Sequence, residues 1–162
     1  MARLLPSAVL AACAILAVAA AGATEETRAL PYFVSLGSGE VNLRTGPGVR
    51  YPIEWVYKRR TLPVEVIGRF DHWRQIRDWQ GTEGWVHQSM LSAHRTLIVV
   101  GEKRALRKEP KAGAATVAEV EPGVLGEIRD CSGGWCEVII AGRSGWLPRD
   151  AFYGTYPTEN VE

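Results

Sequence analysis

Charge of one sign is the first thing this chain lacks. Its 162 residues carry 19 Lys or Arg against 18 Asp or Glu, a formal net charge of +1. That excludes a polycation drawn as a whole to nucleic acid or to an anionic membrane, so any such binding needs a local patch. Chemistry-bearing side chains are scarce too, with three Cys and three His in all. Also missing beyond the first 23 residues is any window that combines helical periodicity with enough length free of Gly and Pro, in a chain with 17 Gly and 9 Pro. A helical bundle is therefore excluded, while 46% hydrophobic residues exclude a disordered tail.

The one long apolar run stands at the start. Arg3 precedes a stretch from Leu4 to Ala21, interrupted by Pro6 and Ser7, and Ala21-Gly22-Ala23 leads into Thr24-Glu25-Glu26. This is the pattern of a secretory signal peptide over residues 1–23, with cleavage expected after Ala23. It makes the membrane relevant only through that segment. Leu10-Ala11-Ala12-Cys13 resembles a lipoprotein signal, but lipidation at Cys13 would leave the apolar Ala14-Ile15-Leu16-Ala17-Val18 where such proteins turn polar. Export to the periplasm or outside the cell is the expectation.

What remains is written twice. Leu43-Arg44-Thr45-Gly46-Pro47 answers to Leu106-Arg107-Lys108-Glu109-Pro110, Val66 and Trp73 answer to Ile128 and Trp135, and Gly84-Trp85-Val86 answers to Gly145-Trp146-Leu147. The offset drifts from 63 to 61, as single-residue indels between strands would produce. Two units follow, residues 30–95 and 96–153, with a tail over 154–162. The link from Ser92 to Thr96 is too short for free tumbling, so the units are expected to sit against each other. Within each, short apolar segments alternate with turn residues. The expected strands are Ile53 to Tyr57, Val64 to Arg69, Trp73 to Arg77 and Thr82 to His87, then Val117 to Val120, Leu125 to Asp130, Trp135 to Ile140 and Arg143 to Leu147. Strands this short bury their apolar faces best by curling the sheet on itself.

Val41-Asn42-Leu43-Arg44-Thr45-Gly46-Pro47-Gly48, followed by Trp73-Arg74-Gln75-Ile76 and Gly84-Trp85-Val86, resembles the bacterial SH3 (SH3b) family. The second copy departs at Lys108-Glu109-Pro110, yet Gly145 to Phe152 is similar to the closing strand and short helical turn of SH3 folds. The resemblance implies an all-β chain of two tandem SH3-like barrels, each of about five strands. It also implies a module of the cell envelope that binds peptidoglycan or an envelope protein.

Asp130-Cys131-Ser132-Gly133 coincides with the nucleophile motif of the NlpC/P60 cell-wall peptidases. A thiolate nucleophile needs a histidine base and gains from a helix N-terminus. In that family the histidine follows the cysteine, whereas His72, His87 and His94 all precede Cys131, and Gly133-Gly134 makes a turn. The alternative is a disulfide between Cys131 and Cys136, the two cysteines left after export to an oxidising compartment. Simple alternation groups Cys131 with Glu127 and Arg129 but Cys136 with Val138, so this bridge requires a bulge in the hairpin. No metal set, cofactor motif or paired catalytic carboxylates stand out, and no catalytic residue is assigned.

Aromatic residues are the remaining candidates for binding. Trp85 and Trp146, beside the closing-strand glycines, are expected to pack the cores. By resemblance to the SH3 peptide groove, Trp135, Pro148 and Phe152 form a site in the second copy, and Trp73, His87 and Leu91 its less complete equivalent in the first. Residues 30–95 hold nine Lys or Arg against six acids, while residues 96–152 hold eight of each. Tyr51, Trp55 and Tyr57 beside Lys58-Arg59-Arg60 are thus expected to offer an aromatic and basic surface suited to carboxylates or anionic glycan. The expectation is an exported, non-catalytic binding module for peptidoglycan or another envelope ligand. An adaptor docking on a partner protein, and a cysteine peptidase acting through Cys131, are the alternatives.

Overall fold

The computed structural model describes residues 28–161; the signal segment and Cys13 lie outside the described residues. The first copy contains β1 (Tyr32–Leu36), β2 (Val41–Arg44), β3 (Ile53–Tyr57), β4 (Pro63–Phe70), β5 (Trp73–Arg77), β6 (Glu83–His87) and β7 (Leu91–Ser92). The second repeats them as β8 (Thr96–Val99), β9 (Arg104–Arg107), β10 (Thr116–Val120), β11 (Leu125–Ser132), β12 (Trp135–Ile140), β13 (Arg143–Pro148) and β14 (Phe152–Tyr153). The sheet orders are identical, β3-β2-β6-β5-β4-β1-β7 and β10-β9-β13-β12-β11-β8-β14. Each sheet wraps one apolar cluster, and a three-residue 3-10 turn, Gln88–Met90 or Arg149–Ala151, leads into its last strand.

The repeated motifs explain why both copies fold alike. Leu43 and Leu106 are fully buried in their respective cores. A Cβ added at Gly84 would lie 2.6 Å from Leu43 Cγ, and one at Gly145 the same 2.6 Å from Leu106 Cγ. The glycine before each tryptophan is therefore the space into which the motif's leucine packs. The neighbouring arginine holds the following loop. Arg44 Nη1 donates to Val49 O and Tyr51 O, and Arg107 Nη1 to Ala114 O and Thr116 Oγ1. Where Glu109 replaces Gly46, the partner changes as well: Tyr51 lies flat against Gly46 in the first copy, and a small buried Ala114 does service in the second.

Each copy has more than the five strands expected. The additions include the two-residue β7 and β14, which pair with β1 and β8. The segments without an alternating signal are β1 and β8 themselves, because every residue of both is buried. In β1, Tyr32, Val34 and Leu36 enter the first core, while Phe33 meets the second copy's Tyr153 and Tyr156 at ring-centroid distances of 5.0 and 4.7 Å. In β8, Leu97 and Val99 enter the second core and Ile98 the first. A strand buried on both faces has no period-2 pattern to read.

The barrels are joined by polar contacts as well. Tyr153 donates to Arg77 O at 2.9 Å, Tyr156 donates to Glu65 Oε1 at 2.7 Å, and Arg59 Nη2 donates to Gly123 O at 3.1 Å. Residues 154–161 form a strap. Arg149 donates to Thr155 Oγ1, Tyr156 O and Glu159 O, and Arg95 grips both oxygens of Glu159 at 2.6 and 2.9 Å. The strap ends where Cys131 N donates to Val161 O, with Val161 buried in the second core.

Candidate functional site

The hairpin of β11 and β12 settles the cysteine question. Cys131 and Cys136 are direct cross-strand partners joined by a disulfide, and both are buried. The register shifts between Ile128 and Asp130, and that bulge reverses the alternation so that Cys131 turns inward with Cys136. Gly133 and Gly134 make the turn between Ser132 and Trp135. Cys131 thus has its sulfur in a covalent bridge and lies at the end of a strand.

The same bulge occurs in the first copy, between Val66 and Gly68, and it places Arg69 opposite Arg74 where the second copy has its cysteines. Arg74 is 1% exposed. Its Nη1 donates to Asp71 O and Trp73 O, and its Nη2 to Gln88 Oε1 at 2.6 Å. No carboxylate pairs with it among the described residues, and its buried Nε has no partner.

In front of these hairpins the two copies present the same hollow. In the first copy Trp73, His87, Arg44, Asn42, Glu40, Val49 and Met90 line a space of about 180 Å³. In the second, Trp135, Pro148, Arg107, Ala105, Lys103 and Ala112, with Arg104 and Glu119, line one of about 390 Å³. Strand pairing dictates the recurrence. Trp73 sits opposite His87 on β5 and β6, and Trp135 opposite Pro148 on β12 and β13. Trp73 meets His87 edge-on at 5.5 Å between ring centroids, and His72 stands 6.1 Å from His87.

These placements correct several expectations. Phe152 does not line the second hollow; it is buried in the core, because β14 pairs with β8 behind it. Leu91, its counterpart, likewise packs against the first core from β7. Trp85 and Trp146 do not fill the cores: alternation sends Gly84 and Val86, or Gly145 and Leu147, inward and leaves both indoles half-buried on the outer face.

The aromatic and basic surface expected from Tyr51 to Arg60 is not assembled either. Tyr57 is buried and donates to Asp78 Oδ2 at 2.9 Å, and burial first, then the Asp78 carboxylate, push its phenol well above the usual range. Tyr51 covers Gly46, Arg59 reaches into the inter-barrel contact, and Arg60 lines a separate hollow with Ser35 and His94. Trp55 alone of the three aromatics is exposed, on the edge strand β3 beside Ile53. Sequence reasoning missed Arg44, Arg74 and Arg107 as parts of these sites. The duplicated Leu-Arg pair was the available signal for two of them. Among the described residues no group of three or more His, Cys, Asp or Glu could hold a metal ion.

The fold with its duplicated hollow defines a tandem SH3-like protein. The family model of the bacterial SH3 domain matches residues 37–93 and again 100–152, and the chain belongs to that family. No curated protein matches it. Among solved structures it is similar to NlpC2 from Trichomonas vaginalis, at 15% identity and a TM-score of 0.37, covering 78% of this chain and 49% of that one. NlpC1 from the same organism gives 16%, 0.36, 77% and 46%. The chain spans about half the length of each.

Proposed function

We propose that this protein is an exported, non-catalytic binding module of the cell envelope whose ligand is peptidoglycan. The observation that carries the reading is the recurrence of one hollow at equivalent positions of both copies, each with a half-buried tryptophan and the arginine of the repeated Leu-Arg pair. An indole face beside guanidinium and amide groups suits the sugars and peptide carboxylates of a cell wall. The disulfide favours an oxidising compartment and takes Cys131 out of nucleophilic chemistry. Membership of the bacterial SH3 family accords with a wall-associated role. Co-sedimentation of the exported protein with purified sacculi tests it: the protein is expected in the pellet at low salt, and none there removes peptidoglycan as the ligand.

A second reading, an adaptor for another envelope protein, is favoured by Ile53 and Trp55, exposed at 46% and 56% on the unpaired edge of β3. Stoichiometric recovery of one partner, lost in a Trp55→Ala variant and indifferent to cell-wall fragments, would favour it over the first.

A further inference from the structure

Exposed apolar side chains are not shared evenly between the copies. Among the described residues the large hydrophobics that stand clear of the surface are Leu30, Val49, Ile53, Trp55 and Phe70, and all five belong to the first copy. Three of them sit on the hairpin of β2 and β3, whose outer strand ends the sheet and leaves one row of backbone N–H and C=O groups unpaired.

Such an edge is a template for another strand, and proteins that keep it vacant blunt it with charged or small residues. The equivalent edge β10 is blunted in this way. It shows Thr116, Ala118 and Glu119 to solvent, and Lys103 lies across Glu119 and Glu121. Each edge hairpin has a register shift, between Leu43 and Arg44 in the first copy and between Thr116 and Ala118 in the second, so a bulge is not what separates them. The side chains are. The bulge of β3 sets Ile53 opposite Arg44 and Trp55 opposite the buried Leu43, so this edge presents an exposed apolar group on each face of the sheet.

The charges along β3 select the strand that fits. Glu54 stands near its start and Lys58-Arg59-Arg60 follows its end, all four exposed. An antiparallel pair of β3 strands lays the acidic start of each beside the basic end of the other, with Trp55, the middle residue, near the two-fold axis. A parallel pair in register would set like charge against like. Arg59 is spent on Gly123 O, but Lys58 meets only Glu40, in an exposed pair, and its ammonium group keeps donors for Glu54 of a second copy.

We infer that β3 is a dimerisation edge, at which two copies of this chain pair antiparallel into one continuous sheet across a two-fold axis and bury Ile53 and Trp55. An adaptor would seat a foreign protein on the same edge; the polarity of charge along β3 selects a second copy instead. Nothing in this pairing depends on what the hollows bind.

Sedimentation velocity of the exported protein over a range of concentrations tests the pairing. Dimer is expected at about 100 µM and monomer at about 1 µM, because one pair of short strands is a small interface. Trp55→Lys brings two like charges to the axis and is expected to raise the dissociation constant about tenfold or more, with thermal unfolding unchanged because Trp55 is exposed. Glu119→Lys on β10 is expected to leave the dimer intact. Glu54→Lys and Lys58→Glu each set like charges side by side and are expected to be monomeric alone, yet to form a heterodimer when mixed. Monomer at every concentration overturns the inference and leaves the edge to an adaptor's partner. A dimer indifferent to Trp55→Lys, or charge variants that fail to associate on mixing, overturns it as well.

Discussion

At the hairpin after the bulge, the two copies solve one structural problem in opposite ways. The second copy puts Cys131 and Cys136 opposite each other and closes them covalently, with Val161 laid across the end. The first puts Arg69 and Arg74 there and holds the buried one by its two Nη atoms on backbone carbonyls and Gln88. The backbone is the same, down to the bulge. The difference teaches that one backbone position accepts two kinds of interior: one hairpin is closed covalently and apolar, while its twin keeps a buried charge among neutral acceptors.

The sharpest way to break this contrast is to remove the staple. Cys131→Ala with Cys136→Ala is expected to destabilise the second copy by about 2 kcal/mol or more. Thermal unfolding should then resolve an early transition in which the strap residues lose protection from hydrogen exchange before β4 and β5 do. Exchange that is lost evenly across both copies would show that the staple serves the whole chain.

Next in size, Gly84→Ala and Gly145→Ala each push a methyl into the buried leucine of the Leu-Arg motif, and about 1–3 kcal/mol of destabilisation is expected in urea. The equal approach of 2.6 Å predicts similar costs in the two copies. A large cost in one alone would mean that the copies pack less alike than their backbones.

The contact between barrels is expected to fail in alkali. Burial first, then the carboxylates of Asp78 and Glu65, raise the folded-state pKa of Tyr57, Tyr153 and Tyr156 above the ordinary 10.0. Their contribution is therefore complete below about pH 10 and is lost as pH rises beyond it. Tyr153→Phe and Tyr156→Phe should each cost about 1 kcal/mol at neutral pH and blunt the alkaline loss. Denaturant midpoints measured across that range check the sign.

The acid side tests the strap. Burial alone would raise the Glu159 carboxyl, but its hydrogen bonds and ion pair with Arg95 outweigh this and hold it below the usual range. Its contribution is thus present above the unfolded carboxylate pKa and lost as pH falls through the depressed folded value. Glu159→Gln is expected to remove that acid dependence in hydrogen exchange of residues 154–161.

The smallest effect concerns the turn Ala141-Gly142, where both residues have positive φ, 49° and 74°. Ala141→Asn is expected to stabilise the second copy by about 0.5 kcal/mol, because Asn accepts the left-handed conformation more readily.

The amino-acid sequence by itself determined that the chain is one barrel written twice. The Leu-Arg pair, the glycine before tryptophan and the alternating strands from Ile53 to Tyr57, Trp73 to Arg77 and Trp135 to Ile140 are local patterns, repeated at nearly constant spacing. It also announced the need for a bulge at the cysteine hairpin, since parity along a strand is a local property. Tertiary structure alone decided which aromatic residues are free. Tyr57 and Phe152 look like surface candidates until Asp78 and β8 are brought beside them, and β1 and β8 hide their strand character because each is covered by both barrels. Burial depends on contacts between distant segments, and no local pattern records what packs against a side chain's second face.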